Sequence, residues 1–290
     1  MLPDREKGIS GEAPETWAGK PMPRSQNPVR RTGVPKLRCG MHRMMAELGL
    51  DGVLVSAAVV IGGEEARHAI RVKRVRVGER VEVMDGRGVI TAGVVAEIDE
   101  GGKKQDGMVT VRVEEVRRVE RGWPRVEVWT AVAKGGRVDE MVDQLAQAGA
   151  AEWRALETAR SVAGAREQKV ERLERIAREA SKQCGRAWVM EIGATKMLAE
   201  AVKGEDGVRV VVCDTSGEMW RGVRESEPGR TAPMHSAMTV RLLIGPEGGW
   251  TEGEMEMCRA AGARVARFGA HVMRIETAGV VACGVVMAGM

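Results

Sequence analysis

The amino-acid sequence predicts a small β-rich domain followed by an α/β domain with a mostly parallel sheet. Between residues 41 and 120, short runs rich in β-branched residues alternate with glycine turns. From residue 121 onward, strand patterns alternate with helix patterns, which is the order that builds a parallel sheet. A chain of 290 residues has room for both domains.

Residues 1–40 precede the first of these patterns. They are rich in Pro, Gly, Arg and Ser and show no periodic apolar spacing. Such a composition is typical of segments that bury too little apolar surface to fold. We therefore expect a disordered extension, or residues upstream of a functional start at Met41.

Residues 41–120 are predicted to form a small all-β domain. The pattern is carried by "GVLVSAAVVIG", "ERVEVMDGRGVITAGVVAEI" and "GMVTVRVEEVRRV". Asp85 and Gly86, between two apolar runs, predict a hairpin turn. A basic cluster lies between the first two segments and extends into the second; it contains Arg67, Arg71, Lys73, Arg74, Arg76 and Arg80.

Residues 121–290 are predicted to alternate strands and helices. The order begins with strand Val126–Ala133, helix Arg137–Ala150, a strand and loop in "EWRALETARSV", and helix Glu167–Gly185. It continues with helix "ATKMLAEAVKG", strands "VRVVVCD" and "MTVRLLIG", helix "TEGEMEMCRAAG", strand "RVARFG" and helix "ETAGVVACGVVMAG".

The composition argues against several classes of protein. No apolar run reaches membrane-spanning length, and the N-terminus lacks a secretory signal, so we expect a cytoplasmic protein. The five Cys and four His show no metal-ligand spacing, which predicts reduced thiols and no metal site. With no Tyr, one Phe and seven Trp, platforms on which RNA bases stack are nearly unavailable.

The segment "RLLIGPEGGWTEGE", Arg241–Glu254, predicts a buried strand, a glycine loop and the acidic first turn of a helix. Gly245, Gly248 and Gly249 would let backbone groups approach a ligand, at the strand end where α/β sheets leave crevices. A tight turn without a ligand explains the loop about equally well. The loop matches neither a phosphate loop nor the dinucleotide fingerprint.

A second strand, glycine and helix follow in Arg267–Ala278. Glu276 and Thr277 lie in the first helical turn, where helix-start chemistry and a functional role are equally supported. Arg274 lies between two apolar residues, where a buried charge would need a partner such as a phosphate or carboxylate.

Further basic residues follow predicted elements. Arg160 follows a strand, where it could hold phosphate. Lys182 and Arg186 lie at a helix end, where solvated cations are the favoured interpretation. Nothing in the local patterns indicates a hydrolase or a metalloenzyme.

Five segments occur in an order and spacing that resemble one family. They are "KGGRVDEMVDQLAQAGA", "ETARSV", "AREASKQCGR", "LLIGPEGGWTEGE" and "FGAHVMRIETA". Over roughly residues 41–290 the sequence resembles the RsmE family, the small-subunit ribosomal RNA uridine-N3 methyltransferases of the SPOUT, or trefoil-knot, class. The "MHRMM" at Met41 is similar to the start of that family.

The resemblance implies a PUA-like β-barrel for RNA over residues 41–120 and a knotted α/β domain over residues 121–290. It implies S-adenosylmethionine (SAM) as cofactor, 16S rRNA within the small ribosomal subunit as substrate, and a homodimer. The positions that match the family's cofactor loops are Leu243, Gly245, Pro246, Glu247, Gly248, Gly249, Phe268, Gly269, Val272, Met273, Arg274 and Thr277.

The chain departs from the family pattern at several positions. Phe268 replaces leucine, His271 stands where arginine is usual, and Trp250 stands where phenylalanine is usual. Gln144 and Ala148 replace the lysine and leucine of a "QKATELG" segment. These changes leave the glycine loop itself intact.

The resemblance and the side-chain chemistry together suggest roles. We hypothesise that Arg274 stabilises a developing uridine anion while Glu276 or Glu247 removes the N3 proton. The residues expected to hold RNA, mainly through phosphates, are Arg67, Arg71, Lys73, Arg74, Arg76, Arg160, Lys182 and Arg186. Two alternatives stay open, a SPOUT enzyme that acts on another RNA nucleoside and a non-catalytic RNA-binding protein.

Overall fold

A computed structural model of the protein describes residues 30–31, 41–48, 57–102, 107–132, 137–161, 170–221 and 238–289. Within these residues the chain forms two six-stranded sheets. Each sheet has buried hydrophobic residues of its own. Apart from Arg30–Arg31, which pairs with the first sheet, the extension expected over residues 1–40 lies outside the described residues.

The first sheet contains the N-terminal strands. They are β1 (Arg30–Arg31), β2 (His42–Met45), β3 (Ala58–Ile61), β4 (Arg80–Met84), β5 (Val89–Asp99) and β6 (Met108–Arg118). The order is β1-β6-β5-β4-β2, and β3 pairs with β6. The pairs β3–β6, β4–β5 and β5–β6 are antiparallel, whereas β1–β6 and β2–β4 are parallel.

The prediction that this domain is all-β is wrong in one respect, because helix α1 (Gly63–Arg71) follows β3. Glu64 and Glu65 lie in its first turn and Arg71 in its last, which complements the helix dipole. Ala66 and Ala69 pack against the sheet. The segment contains one β-branched residue, so its composition favours a helix over a strand.

The predicted hairpin at Asp85 and Gly86 is confirmed. It joins the antiparallel strands β4 and β5. The Asp85 Oδ1 atom accepts hydrogen bonds from the backbone N–H groups of Arg87 and Val89, at 2.7 Å and 2.9 Å. This side chain therefore supplies the local bonding that favours Asp in turns.

The second sheet, which was predicted to be mostly parallel, is parallel in all five of its strand pairs. Its strands are β7 (Arg125–Thr130), β8 (Glu152–Glu157), β9 (Glu191–Met197), β10 (Val208–Met219), β11 (Thr239–Ile244) and β12 (Arg264–Arg267). The order is β12-β10-β11-β7-β8-β9. The helices are α2 (Val138–Ala148), α3 (Val170–Cys184), α4 (Leu198–Ala201), α5 (Glu252–Ala260) and α6 (Ile275–Ala288).

The helix predicted in "ATKMLAEAVKG" is wrong over its first half. Residues up to Met197 belong to β9, which pairs with β8 at the edge of the sheet, and only Leu198–Ala201 is helical. Ala, Lys and Met favour helices, but propensity is a weak preference that backbone pairing with a neighbouring strand overrides.

The parallel sheet determines where ligands can meet the chain. Helices α2 and α6 pack on one another, and α6 packs on β7, with Gly279 close enough that a Cβ atom would lie 3.5 Å from Val128. Because the strands are parallel, the loops that follow β7, β8, β11 and β12 lie at the same carboxyl edge. Across the described ranges, no helix has the length and apolar character needed to span a membrane.

Candidate cofactor and RNA sites

The loop after β11 carries the glycine segment. Leu243, on the strand, is fully buried and anchors the loop in the core. The backbone N–H of Gly249 donates to the carbonyl of Pro246 at 2.8 Å and closes a tight turn. Gly249 has a φ of 71°, which favours glycine. Glu247 and Gly248 are exposed at the tip, so backbone at this edge is open to a ligand.

Trp250 lies directly against the start of this loop. A Cβ atom on Gly245 would approach the Trp250 ring atom Cε2 to 2.7 Å. Any side chain at Gly245 would therefore displace the indole or the backbone. A Cβ on Gly249, in contrast, would meet no atom within 4 Å, which places open space beside that part of the loop.

The loop after β8 is docked onto the glycine loop. Arg160 donates from Nη1 to the carbonyl oxygen of Gly248 at 2.6 Å. The buried Glu254 accepts from the backbone N–H of Ala159 at 2.7 Å with one carboxylate oxygen, and from Thr251 with the other. Burial raises the pKa of Glu254, but the backbone N–H groups of Thr251 and Ala159 outweigh it and hold that pKa below its ordinary value.

Sequence reasoning missed this role of Glu254, although a signal was present. Thr251 caps α5, and Thr251 and Glu254 form a reciprocal capping box. Such a Thr-x-x-Glu spacing marks a helix start. The contact from Glu254 to Ala159 spans 95 positions, and no local pattern predicts it.

The loop after β12 contains the second group of predicted cofactor residues. Phe268 is buried and stacks on Trp220, with ring centroids 5.4 Å apart. A Cβ on Gly269 would lie 3.3 Å from the Met273 methyl group. Val272 is 86% exposed. Arg274 is the N-cap residue of α6 and is exposed, so the buried partner that the sequence suggested for it is not required.

The start of α6 is tied to the start of α2. Glu276 is mostly buried and accepts a hydrogen bond from Arg137 Nη1 at 2.9 Å, whereas Thr277 is exposed. Burial raises the pKa of Glu276, but its own backbone N–H, Arg137 and the charge of Arg274 together lower it below its ordinary value. Glu276 is therefore ionised at neutral pH and is a weaker base than an ordinary glutamate.

The basic cluster of the first domain is mostly open to solvent. Arg67, Arg71, Arg74 and Arg76 are exposed on α1 and the turn that follows it. Lys73 differs, because it is half-buried and donates to the backbone carbonyl of Arg43 at 2.7 Å. Burial and the nearby charge of Lys182 lower the pKa of Lys73. The four arginines thus form a surface that a phosphate chain can reach.

Lys182 and Arg186 do not lie on a solvated helix end, and that prediction is wrong. Lys182 is 3% exposed and pairs with Glu65 of α1 at 2.7 Å. Arg186 is half-buried and donates to the carbonyls of Ala146 and Gly149 at 2.9 Å and 3.1 Å. The Lys182–Glu65 pair joins the two domains, and Arg186 caps the carboxyl end of α2. The prediction failed because tertiary packing supplies partners that local spacing does not reveal.

The chain matches two family models. An RNA methyltransferase domain matches residues 121–287, and an RNA methyltransferase PUA domain matches residues 61–103. The "Ribosomal RNA small subunit methyltransferase E" of Mycobacterium tuberculosis is 32% identical over 241 residues, which is 79% of this chain and 86% of that protein. The protein of the same name from Bacillus subtilis is 24% identical over 246 residues, 82% of this chain and 93% of its own length.

Two solved structures have the same fold. A putative methyltransferase from Legionella pneumophila with bound SAM matches with a TM-score of 0.68 at 24% identity, over 86% of this chain and 97% of its own. A ribosomal RNA small subunit methyltransferase E from Neisseria gonorrhoeae bound to SAM matches with a TM-score of 0.69 at 20% identity, over 84% and 96% of the two chains. The expected fold is confirmed, and the chain belongs to the RsmE-type family of RNA methyltransferases, in which a PUA domain precedes a SPOUT-type α/β domain.

Proposed function

We propose that the protein is a SAM-dependent methyltransferase that transfers a methyl group to N3 of a uridine in 16S rRNA of the small ribosomal subunit. Membership of the family and the names of the relatives support a small-subunit rRNA methyltransferase. The observation that carries the proposal in this chain is the position of two glycine-containing loops at the carboxyl edge of one parallel sheet, after strands β11 and β12 that flank β10.

The residues at this edge fit a nucleoside-containing cofactor. A nucleoside needs backbone hydrogen-bonding groups and an apolar surface more than it needs charge. The backbone at Gly249, which has open space beside it, supplies hydrogen-bonding groups. The exposed Val272 side chain supplies apolar surface. Leu243 and Phe268 are buried and would support the two loops from below.

The chemistry at N3 needs charge control around the uracil ring. SAM, when bound, supplies an electrophilic methyl group on a sulfonium sulfur. Uracil N3 carries a proton and is a poor nucleophile until that proton leaves. Arg274 is exposed at the start of α6, where its guanidinium can stabilise the anion that forms. Glu247 faces solvent and can accept the proton, whereas Glu276 is held by Arg137 and orients the site.

RNA contacts are assigned to the exposed arginines. The surface formed by Arg67, Arg71, Arg74 and Arg76, on α1 and the turn that follows it, suits the phosphate backbone. Arg160 is exposed beside the glycine loop, so it can contact a phosphate of RNA that reaches the cofactor site. The substrate would place this activity in the cytoplasm, where small subunits assemble.

A homodimer is supported by one face of α6. The helix contains a single charged residue, Glu276. The side of the helix that is not buried presents small and apolar residues at spacings that fall on one face: Thr277, Val281, Gly284, Val285 and Ala288. An uncharged helix face of this kind suits packing against a second copy.

Methyl transfer tests the function directly. The full chain is incubated with labelled SAM and small ribosomal subunits that lack the modification, and the methylated base is mapped. Methyl at uridine N3 supports the proposal, whereas methyl on another base keeps the fold and changes the substrate. Calorimetry measures whether the chain binds SAM. Absence of SAM binding would refute the proposal and favour the alternative of a non-catalytic RNA-binding protein.

A further inference from the structure

A cavity of about 830 Å³ lies at the amino-terminal edge of the parallel sheet. It is lined by segment 118–126, which joins the two domains, by segment 184–189, and by Met287 near the end of α6. The strands leave this edge toward the glycine loops, so the cavity and the cofactor loops lie at opposite edges. The cavity therefore plays no part in the site assigned to SAM.

Trp123 lines this cavity and is 45% exposed. The other described tryptophans are less accessible. Trp129, Trp153 and Trp220 are buried, and Trp188 and Trp250 are half-buried. Trp188 also lines the cavity. In a chain with no Tyr and one buried Phe, Trp123 is the described aromatic ring with the most accessible face.

Trp188 forms a fixed wall of the cavity. Its Nε1 donates to the carbonyl of Val119 at 2.8 Å, and an antiparallel bridge pairs it with Arg87 of the turn between β4 and β5. The guanidinium of Arg121 lies over its ring, 4.4 Å from the centroid. The cavity thus contains a preformed stack of a cation on an indole beside the exposed Trp123 ring.

The charges around the cavity favour an anionic chain. Arginines 118, 121, 125 and 186 line it together with Glu120 and Glu191, so positive charge is in excess. Glu191 is shared by Arg121 and Arg125 at 3.1 Å and 3.2 Å. The Arg125 side chain is held by Glu127, Glu152 and Glu191, whereas Arg118 and Arg121 are exposed at the cavity and can meet a phosphate.

We propose that this cavity binds an unpaired nucleobase of a single-stranded RNA segment, stacked on Trp123, with the adjoining phosphates against the arginines. Aromatic stacking and a cationic groove are the two features of sites that hold single strands without sequence preference. The volume lies in the range of about 300–1,000 Å³ that is usual for small-molecule sites, so a nucleoside fits. The inference rests on the proposed function only for the source of the RNA.

The affinity of the full chain for a fluorescently labelled single-stranded RNA hexamer, measured from the anisotropy of the label, tests the site. Trp123→Ala should weaken binding by roughly tenfold, which is within the usual loss of a stacked base. Trp123→Phe keeps an aromatic face and should retain most of the affinity. Met257→Ala, which truncates an exposed apolar side chain on α5, is the matched control and should change nothing. Equal affinity of the wild type and Trp123→Ala would overturn the site.

Two further measurements test other occupants of the cavity. Uridine monophosphate should bind far more weakly than the hexamer, and equal affinities would replace the RNA strand with a free nucleotide. Sedimentation should give the same oligomeric state for wild type and Trp123→Ala. Loss of a dimer in the variant, without any effect on RNA affinity, would assign the cavity to a second copy of the chain and overturn the proposal.

The same variants separate this inference from the function. Trp123→Ala should bind SAM normally and show a raised KM for small subunits with a nearly unchanged kcat. A wild type that binds the hexamer through Trp123 but transfers no methyl group would refute the function and leave the base site standing. Methyl transfer by the wild type, with an unchanged KM in Trp123→Ala, would support the function and refute the base site.

Discussion

Arg160 donates a hydrogen bond from Nη1 to the carbonyl oxygen of Gly248 at 2.6 Å, across 88 positions of the sequence. The contact holds the tip of the glycine loop against the loop that follows β8. Beside it, the backbone N–H of Ala159 donates to Glu254 in the first turn of α5, which directly follows the glycine loop. The shape of the proposed cofactor edge therefore depends on a loop outside the glycine segment.

Replacing Arg160 with alanine should weaken SAM binding by up to about tenfold, since a hydrogen bond from a charged group contributes about 1.5–3 kcal/mol when buried and less when exposed. Isothermal calorimetry with SAM measures the change. Arg259→Ala removes an exposed arginine from α5 and serves as the control. Equal SAM affinities in the two variants would show that the contact does not hold the loop for the cofactor.

Replacing Arg274 with alanine should lower the rate of methyl transfer by at least about 100-fold, because one electrostatic donor at a developing anion is typically worth that much. SAM affinity should stay nearly unchanged, since the side chain is exposed at the start of α6 rather than packed in the loop. Single-turnover assays and calorimetry separate the two effects. A parallel loss of SAM affinity would count against a role in the transition state.

The Arg137–Glu276 pair should make stability depend on pH. The folded pKa of Glu276 lies below its unfolded value of about 4.3. Its contribution is therefore present above the unfolded pKa and is lost as the pH falls through the folded pKa. Arg137→Met should lower the free energy of unfolding by about 1 kcal/mol at neutral pH, a modest value because the arginine is partly exposed. The difference from wild type should shrink in acid.

Denaturant unfolding of both proteins across this pH range measures that difference. Lys196→Met is the matched control, because it breaks an exposed pair with Glu200 and should cost less at every pH. A loss in Arg137→Met that stayed constant into acid would mean that packing of the arginine, and not its pairing with Glu276, stabilises the fold.

RNA binding should weaken steeply with salt, with a slope that reports the exposed arginines of α1 and of the turn that follows it. Removing Arg71 and Arg76 together should reduce the slope of log K against log salt by about 2, or about 1 for each phosphate contact. Filter binding with small-subunit rRNA at several salt concentrations gives the slope. Arg178→Ala, an exposed arginine on α3, is the control. A slope identical to wild type would place the RNA elsewhere.

Most of the α/β domain could be predicted because its signals are local. The spacing of apolar residues and the glycine at position 149 marked α2, and the capping residue Thr251 lies where α5 begins. β9 was missed because its strand state comes from pairing with β8, against the helix propensity of its own residues. A local pattern contains no information about a neighbouring strand.

The site was predicted less completely for the same reason. The two glycine loops are visible in the sequence, but their supports are distant: Arg137 and Glu276 lie 139 positions apart. Lys182 has the spacing of a solvated helix end, and only the folded chain shows that Glu65 reaches it. The sequence therefore locates the cations, but only the folded chain shows which of them are exposed to solvent.

Gly245 and Gly253 should respond in opposite ways to alanine. At Gly245 a methyl group would approach Trp250 to 2.7 Å, so Gly245→Ala should cost about 1–3 kcal/mol of stability and weaken SAM binding as the loop shifts. Gly253 lies in α5 with no atom within 4 Å of the added methyl. Gly253→Ala should therefore lose nothing and gain up to about 1 kcal/mol from helix propensity. Denaturant unfolding and SAM calorimetry on both variants decide the matter. If Gly245→Ala were as stable as wild type and bound SAM as tightly, the close approach of Trp250 would not be what requires glycine at the start of the loop.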